Sequence, residues 1–423
     1  MGSTISPKSN VAPGAKNWLK KYFHLLENEA ISLENTTFND VIYNSTHLLS
    51  NETGLIYGIP SRLIFSEELP NEHLTKEEKL KLLLFETLLH TYKQRHTTFN
   101  EAAFIDSLSI FYNIPKEKSL VEKWIPLLGN RDDFQKIEHI LTERVRVKST
   151  IFGSNYWLNY LSNCFVFMDV ILYRDFLADN EKTFFKHYNE FATFVLKFLI
   201  YAAYLDQQVE DKEEKLLWRF LASADLDKEL NEKMELKVLH GITIEELKEL
   251  PRNHQFLNVI TFELCLFITK GTHQTTDKEE IHIRQIGELL GLTDNQMNEA
   301  ALLSERFMLE NSSEIFINNK TSNFNFTYKN FSERWLRILG RNKDKLVSEL
   351  KESKELIALI QKSTKTELSK EEKEKVKEQF MDILKTMPSL AIFLVPGGTF
   401  LLPLILKLVP DLLPSSFKDN EIE

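Results

Sequence analysis

EEKLKLLLFETLLHTYKQ, Glu77–Gln94, carries its leucines at helical spacing. The same reading extends in both directions. The chain has 13 glycines and 12 prolines in 423 residues, few for its length, and little of the apolar/polar alternation that marks strands. The sequence therefore predicts an all-α fold. It is expected to have a multi-helix body, a duplicated helical domain within that body, and a Pro/Gly-kinked apolar helix or hairpin at the carboxy-terminal end.

Punctuation divides the chain. Residues 1–13 are polar and read as a flexible tail. A helical module over 14–150 opens with a helix from Asn17 to Ala30 that puts Trp18 and Phe23 on one face. Residues 151–310 form a second helical domain, with aromatic-rich helices expected at Tyr156–Leu177 and Glu181–Leu205. Trp157, Phe165, Phe167, Phe184 and Phe185 are its expected core anchors. A helical connector spans 311–354, followed by a candidate membrane region over 355–417 and a polar tail over 418–423. Cys164 and Cys265, the two cysteines, each lie within an apolar helical pattern and read as buried free thiols in a reducing compartment.

The second domain contains a repeat. VEDKEEKLLWRFLASADL (Val209–Leu226) and TTDKEEIHIRQIGELLGL (Thr275–Leu292) align without a gap at an offset of 66 residues, Val209 to Thr275. Each restarts a helix with Asp-Lys-Glu-Glu, acids that the helix dipole favours in a first turn. This duplicated unit of helix, acidic turn and helix resembles the tellurite-resistance TerB-like fold. The resemblance implies acidic loops whose carboxylates can hold a divalent cation. Asp206 and Glu213 keep the family's spacing, with Gln207 in place of its glycine. In the second half Glu279 is kept, while Thr272 and His273 stand where Asp-Gly is expected. The candidate metal residues are thus Asp206, Glu213, Asp277 and Glu279. Two carboxylates from one loop fall short of the roughly six to eight oxygens a calcium ion takes, and the competing reading makes these acids helix caps and first-turn residues.

At the other end, TMPSLAIFLVPGGTFLLPLIL (Thr386–Leu406) carries no charge and has the length, about 20 residues, that crosses a hydrocarbon core of roughly 30 Å. Pro388, Pro396, Gly397, Gly398 and Pro403 break it, so a kinked helix or hairpin is expected rather than a straight span. Lys407 at its edge is placed to snorkel, and Pro410 and Pro414 follow. Lysines crowd the near side (Lys370, Lys373, Lys375, Lys377, Lys385), which predicts a body on the cytoplasmic face. The alternative is a Pro-punctuated core hairpin in a soluble interaction protein.

The region from Glu355 to Phe417 resembles the membrane region of the Letm family, leucine-zipper and EF-hand-containing transmembrane proteins. The matching positions are Leu368 and Glu371 in an LSxEE start, Asp382, Pro388, Pro396, Leu401-Leu402-Pro403, Lys407, Pro410, Leu413-Pro414-Ser415 and Phe417. The resemblance implies ion homeostasis, with proton-coupled cation exchange, and a ribosome-associated helical domain after the membrane segment. That domain is expected to be missing, because six residues follow Phe417. No EF-hand loop is present. Gly397-Gly398-Thr399 replaces the aromatic and acidic residues common in the family, which removes a cation-binding carboxylate. Bacterial chains that combine a TerB-like and a Letm-like region are connected with biofilm formation, which the resemblance alone implies.

A net charge of -10 excludes a general nucleic-acid binder. The sequence has no HExxH, GxSxG, P-loop or GxGxxG, and its 11 histidines lack metal-ligand spacing; His90 and His139 read as surface or satisfied core residues. No enzyme and no cofactor is therefore expected, and no signal peptide. The expected function is a membrane-tethered helical adaptor with a protein partner or self-association. A subunit of a cation transport system and a soluble interaction protein are the alternatives.

Overall fold

Thr75 starts the longest helical run of the first half. Its hydroxyl accepts the Glu78 N–H while the Glu78 carboxylate takes the Thr75 N–H, a reciprocal cap that fixes where α3 (Lys76–Lys93) begins. The computed structural model describes residues 11–33, 46–96, 98–112, 132–146, 163–179, 187–204, 211–248, 254–272, 277–311, 343–363, 366 and 369–385. Every regular element among them is helical. They fall into two compact units, Met1–Phe307 and Met308–Glu423.

In the first unit, α1 (Trp18–Glu27), α2 (Thr46–Glu52), a 3-10 turn (Leu55–Tyr57), α4 (Glu101–Tyr112) and α5 (Asp133–Val145) accompany α3. Next come α6 (Phe167–Asp179), α7 (Tyr188–Ala203), α8 (Asp211–Ser223), α9 (Lys228–His240) and the short α10 (Ile244–Lys248). The last three are α11 (Gln255–Thr272), α12 (Asp277–Leu289) and α13 (Asp294–Glu310).

Two helices act as axes. α3 is buried on nearly every side from Leu80 to Leu89, packed by α2, α5 and α6, so the amphipathic stripe its sequence suggests is in fact a helix enclosed by neighbours. Phe85 at its centre meets Trp18, Tyr22 and Phe23 of α1 edge-on, with ring centroids 5.4, 5.0 and 5.9 Å away. The second axis is the α7–α11 pair, with α8, α9, α10 and α12 against α7. α6 touches both α3 and α7, so packing continues across residue 150, where the sequence suggests a domain boundary.

Two helix bounds differ from those expected. α1 covers Trp18–Glu27 rather than Asn17–Ala30, since Glu29 takes a left-handed φ of 57°. α6 opens at Phe167 because the Asn163 side chain accepts the Phe165 N–H at 2.7 Å ahead of it. Phe165 and Phe167 are buried as anchors; Trp157, Phe184 and Phe185 lie outside the described residues. Val11, at the end of the stretch read as a loose tail, is buried, and the nearby Pro13 carbonyl accepts Lys81 Nζ at 3.0 Å. Cys164 and Cys265 are free and buried, as expected.

The 3-10 turn needs its glycines. Gly54 and Gly58 have φ of 79° and 63°, and a Cβ on Gly58 would lie 2.7 Å from both the Asn163 carbonyl oxygen and Cys164 Cα, backbone atoms that cannot swing aside. Gly58→Ala is therefore expected to cost about 2 kcal/mol, from left-handed strain plus the clash. A urea midpoint equal to that of the parent would contradict this placement.

The second unit contains α14 (Lys343–Glu352), α15 (Lys354–Ser363) and α16 (Lys370–Lys385), each touching the other two. Leu350, Leu356, Ile360 and Ile383 are the buried apolar side chains of these three helices among the described residues.

Candidate functional site

Of the residues singled out from the sequence, Glu213, Asp277 and Glu279 lie among the described residues, at the starts of two helices. Glu213 lies in the first turn of α8 and is 2 % exposed, a buried position within the helix start. Asp277 and Glu279 belong to the first turn of α12, and Asp206 lies outside the described residues. Among the described residues no group of three metal-ligating side chains forms. Pro388, Pro396, Gly397, Gly398, Pro403, Lys407, Pro410 and Pro414 all lie outside the described residues. No helix among the described residues is long and apolar enough to cross a membrane.

What the fold does assemble is a set of buried polar junctions, each built on an acid inside an apolar stretch of helix. Glu86 on α3, Asp169 on α6 and Glu263 on α11 are 0 % exposed. A carboxylate in such a place must be met by donors or by opposite charge, and each one is.

Glu86 accepts three successive backbone N–H groups, from Ile64 (2.6 Å), Phe65 (3.0 Å) and Ser66 (3.1 Å), and the Tyr22 hydroxyl at 3.0 Å. Burial pushes its carboxyl up, against the pull of those four donors. The junction ties α1 and the 64–66 loop to α3.

Asp169 receives the Arg144 guanidinium through Nε at 2.8 Å and through Nη2, and the Tyr112 hydroxyl at 3.0 Å. Arg144 is 1 % exposed, and its guanidinium lies 4.9 Å from the centre of the Tyr188 ring. This junction joins α4, α5, α6 and α7.

Glu263 takes His47 Nε2 at 2.7 Å on one oxygen and Asn51 Nδ2 at 2.9 Å on the other. Asn51 also donates to the Tyr57 hydroxyl, which in turn donates a hydrogen bond to Ser304 Oγ at 3.0 Å. The Tyr57 ring lies between Phe267 and Phe307, with centroids 4.9 and 4.4 Å away. One residue further along α2, the buried Glu52 pairs with Arg62 at 3.3 Å and with Arg306. This third junction fastens the short α2 to α11 and α13.

Nearby, His254 caps α11. Its Nδ1 accepts the Leu257 N–H at 3.0 Å, which leaves Nε2 as the protonated nitrogen facing Asp175 at 2.7 Å. His90 is half-buried on α3, and burial with Lys93 nearby pushes it down to about 4, so its imidazole is neutral. None of these groups combines an accessible nucleophile with a base. Their chemistry is that of fastening helices.

In the second unit, α16 begins at Ser369, whose hydroxyl accepts the Glu372 N–H while the Glu372 carboxylate takes the Ser369 N–H. The Lys362 ammonium, with that N–H, holds the Glu372 carboxyl below the usual carboxylate range. Gln379 donates to Glu355 at 2.7 Å and accepts from Ser353 at 2.8 Å, which aligns α16 along α15. Glu371, Lys375, Glu378 and Asp382 are left on the exposed face.

Comparison with known proteins addresses this end of the chain. The family model described as LETM1-like, RBD matches residues 368–423, from just before α16 onward. The carboxy-terminal stretch is thus LETM1-like, in agreement with the residues Leu368 to Phe417 that carry the resemblance. The match corrects one expectation: the apolar run Thr386–Leu406 falls within the stretch matched to that family model rather than ahead of a missing one. No curated protein matches the chain, and no solved structure does.

Proposed function

We propose that this chain is a Letm-related, membrane-associated helical scaffold, with residues 368–423 as its contact end and the Met1–Phe307 unit as a body that binds a partner. The observation carrying this reading is the LETM1-like match over 368–423, which begins at the Ser369 cap of α16 and encloses an uncharged run of membrane-spanning length. The scaffold works without catalysis, from the cytoplasmic face. Its general setting is ion homeostasis, with a biofilm connection as the narrower form of that setting.

A TerB-like duplication in the body is part of the proposal. It is supported by helices α8 and α12, each 13 residues long and starting at Asp211 and Asp277, the offset of the sequence repeat. The caps of the following helices keep the same offset, Asp227 ahead of α9 and Thr293 ahead of α13. So do two carbonyls at helix ends: Tyr188 donates to the Ala224 oxygen, and Asn258 to the Leu290 oxygen.

The test is carbonate extraction of membranes carrying the full chain, beside a chain ended at Thr386. The full chain is expected to stay in the pellet and the shortened one to be released. Release of both would sink the membrane reading and leave the soluble alternative. The family name favours a second reading, association with ribosomes through the same stretch. Co-sedimentation of the full chain with ribosomes in detergent, lost on charge reversal at Lys375 and Glu378, would support that reading.

A further inference from the structure

One imidazole sits inside the junction between α2 and α11, and the scaffold function makes no use of it. His47 lies in the first turn of α2 with its side chain 17 % exposed, and its Nε2 is 2.7 Å from a Glu263 oxygen that solvent does not reach. Three neighbouring helices present groups to this ring. From α11 come Glu263 and the edge of the Phe256 ring, with centroids 5.9 Å apart; from α13 comes Glu299. From α6 comes Arg174, whose guanidinium covers Phe256 at 4.6 Å from its centre. On α2 itself, Asn51 shares Glu263, and Glu52 is already engaged by Arg62 and Arg306. Two carboxylates and one guanidinium thus face the imidazole.

We propose that the His47–Glu263 pair is a proton-operated clasp: protonated His47 holds α2 against α11, and loss of that proton loosens α2 while the rest of the unit stays folded. α2 has seven residues, too few to persist as a helix without tertiary support, so its order depends on its packing against the 3-10 turn and α3 and on this contact with α11. A neutral imidazole keeps one N–H for Glu263 but gives up the charge, leaving a buried carboxylate with neutral donors only.

Burial by itself would push His47 down. Glu263, with Glu299 behind it, outweighs burial and holds the imidazole above its ordinary value of 6.5. The sign follows. A group raised on folding contributes stability that is fully present below its unfolded value and is lost as pH rises through the folded one. The clasp is closed at mildly acidic pH and opens on the alkaline side of 6.5.

Hydrogen exchange on the full chain, read by mass spectrometry between about pH 6 and pH 9 and normalised for intrinsic rate, tests this. Peptides covering Thr46–Glu52 are expected to lose protection by up to about tenfold per pH unit once His47 titrates, the slope for release of one proton. Peptides from α16 should show no such trend. In His47→Gln the α2 peptides should have low protection at every pH. Protection of α2 that ignores pH in the parent, or a pH trend that survives in His47→Gln, would overturn the clasp. Should that variant not fold, the parent decides alone. The imidazole resonance in Overhauser contact with the Phe256 ring must titrate above 6.5, and a midpoint at or below that value refutes the proposal.

Discussion

Asp169→Ala is expected to lower stability by about 4 kcal/mol, within the 3–5 kcal/mol typical when one partner of a buried ion pair is removed. The cost comes from what remains. Arg144, 1 % exposed, would keep its charge after losing the Asp169 carboxylate, and the Tyr112 hydroxyl would lose its bond to that carboxylate. The guanidinium cannot escape by losing its proton, and the Tyr188 ring beneath it offers only a weak substitute. α4, α5, α6 and α7 meet at this point, so loosening is expected to spread across the Met1–Phe307 unit. The control is the triple replacement Asp169→Leu, Arg144→Met and Tyr112→Phe, which removes all three polar partners together. Exchanging a buried pair for apolar groups of similar volume is often neutral or better, so the triple should recover most of the loss in urea unfolding. If Asp169→Ala alone left the midpoint within about 0.5 kcal/mol of the parent, the pair would be solvated rather than buried, contrary to its geometry.

The three junctions also show how far the sequence could be read. That Glu77–Gln94 is helical follows from leucine spacing alone, and the structure has α3 there because the Thr75–Glu78 cap and the apolar stripe agree. The acids were visible as single charges in apolar runs, Glu86 in LLLFETLL, Asp169 in FVFMDVIL and Glu263 in TFELCLF. Such a residue cannot be left unpaired, so a functional or structural role could have been assigned to each before any coordinates. Their partners were not legible. Arg144 lies 25 residues from Asp169, His47 lies 216 residues from Glu263, and Glu86 is met largely by backbone N–H groups, which every loop possesses. Periodicity fixes which face of a helix is apolar and says nothing of which helix will cover it. The acidic starts at Asp211 and Asp277 read more readily as first-turn residues than as cation ligands, because two carboxylates from one loop are too few for a calcium ion. The LETM1-like end was legible for a different reason: prolines at fixed spacing are rare enough to identify a family segment without any knowledge of its packing.

Glu86→Gln is the second substitution expected to be costly, on the order of 4 kcal/mol, although it changes the side chain by one atom. Both Glu86 oxygens are used twice. One takes the Ile64 and Phe65 N–H groups; the other takes the Ser66 N–H and the Tyr22 hydroxyl. All four neighbours are donors, and a glutamine amide presents one acceptor and one donor. Its NH₂ group would point at N–H groups or at a hydroxyl. With the NH₂ toward Ile64 and Phe65 both of their bonds are lost; toward Ser66 and Tyr22 the Ser66 bond is lost while the Tyr22 hydroxyl can turn to accept, so in either orientation at least one backbone donor is left buried without an acceptor, at about 1–3 kcal/mol each. Turning the 64–66 loop to relieve the clash would pull Ile64 and Phe65, both buried, out of the core. Glu86→Asp keeps the charge but shortens the reach, and should lie between the parent and the glutamine. Tyr22→Phe removes a single donor and should cost about 1 kcal/mol. That order, Tyr22→Phe mildest, then Glu86→Asp, then Glu86→Gln, distinguishes a carboxylate receiving backbone donors from one that merely fills space. If Glu86→Gln proved as mild as Tyr22→Phe, the 64–66 loop would not be held by the carboxylate, and α1 would owe its place to Trp18, Tyr22 and Phe23 packing on Phe85 alone.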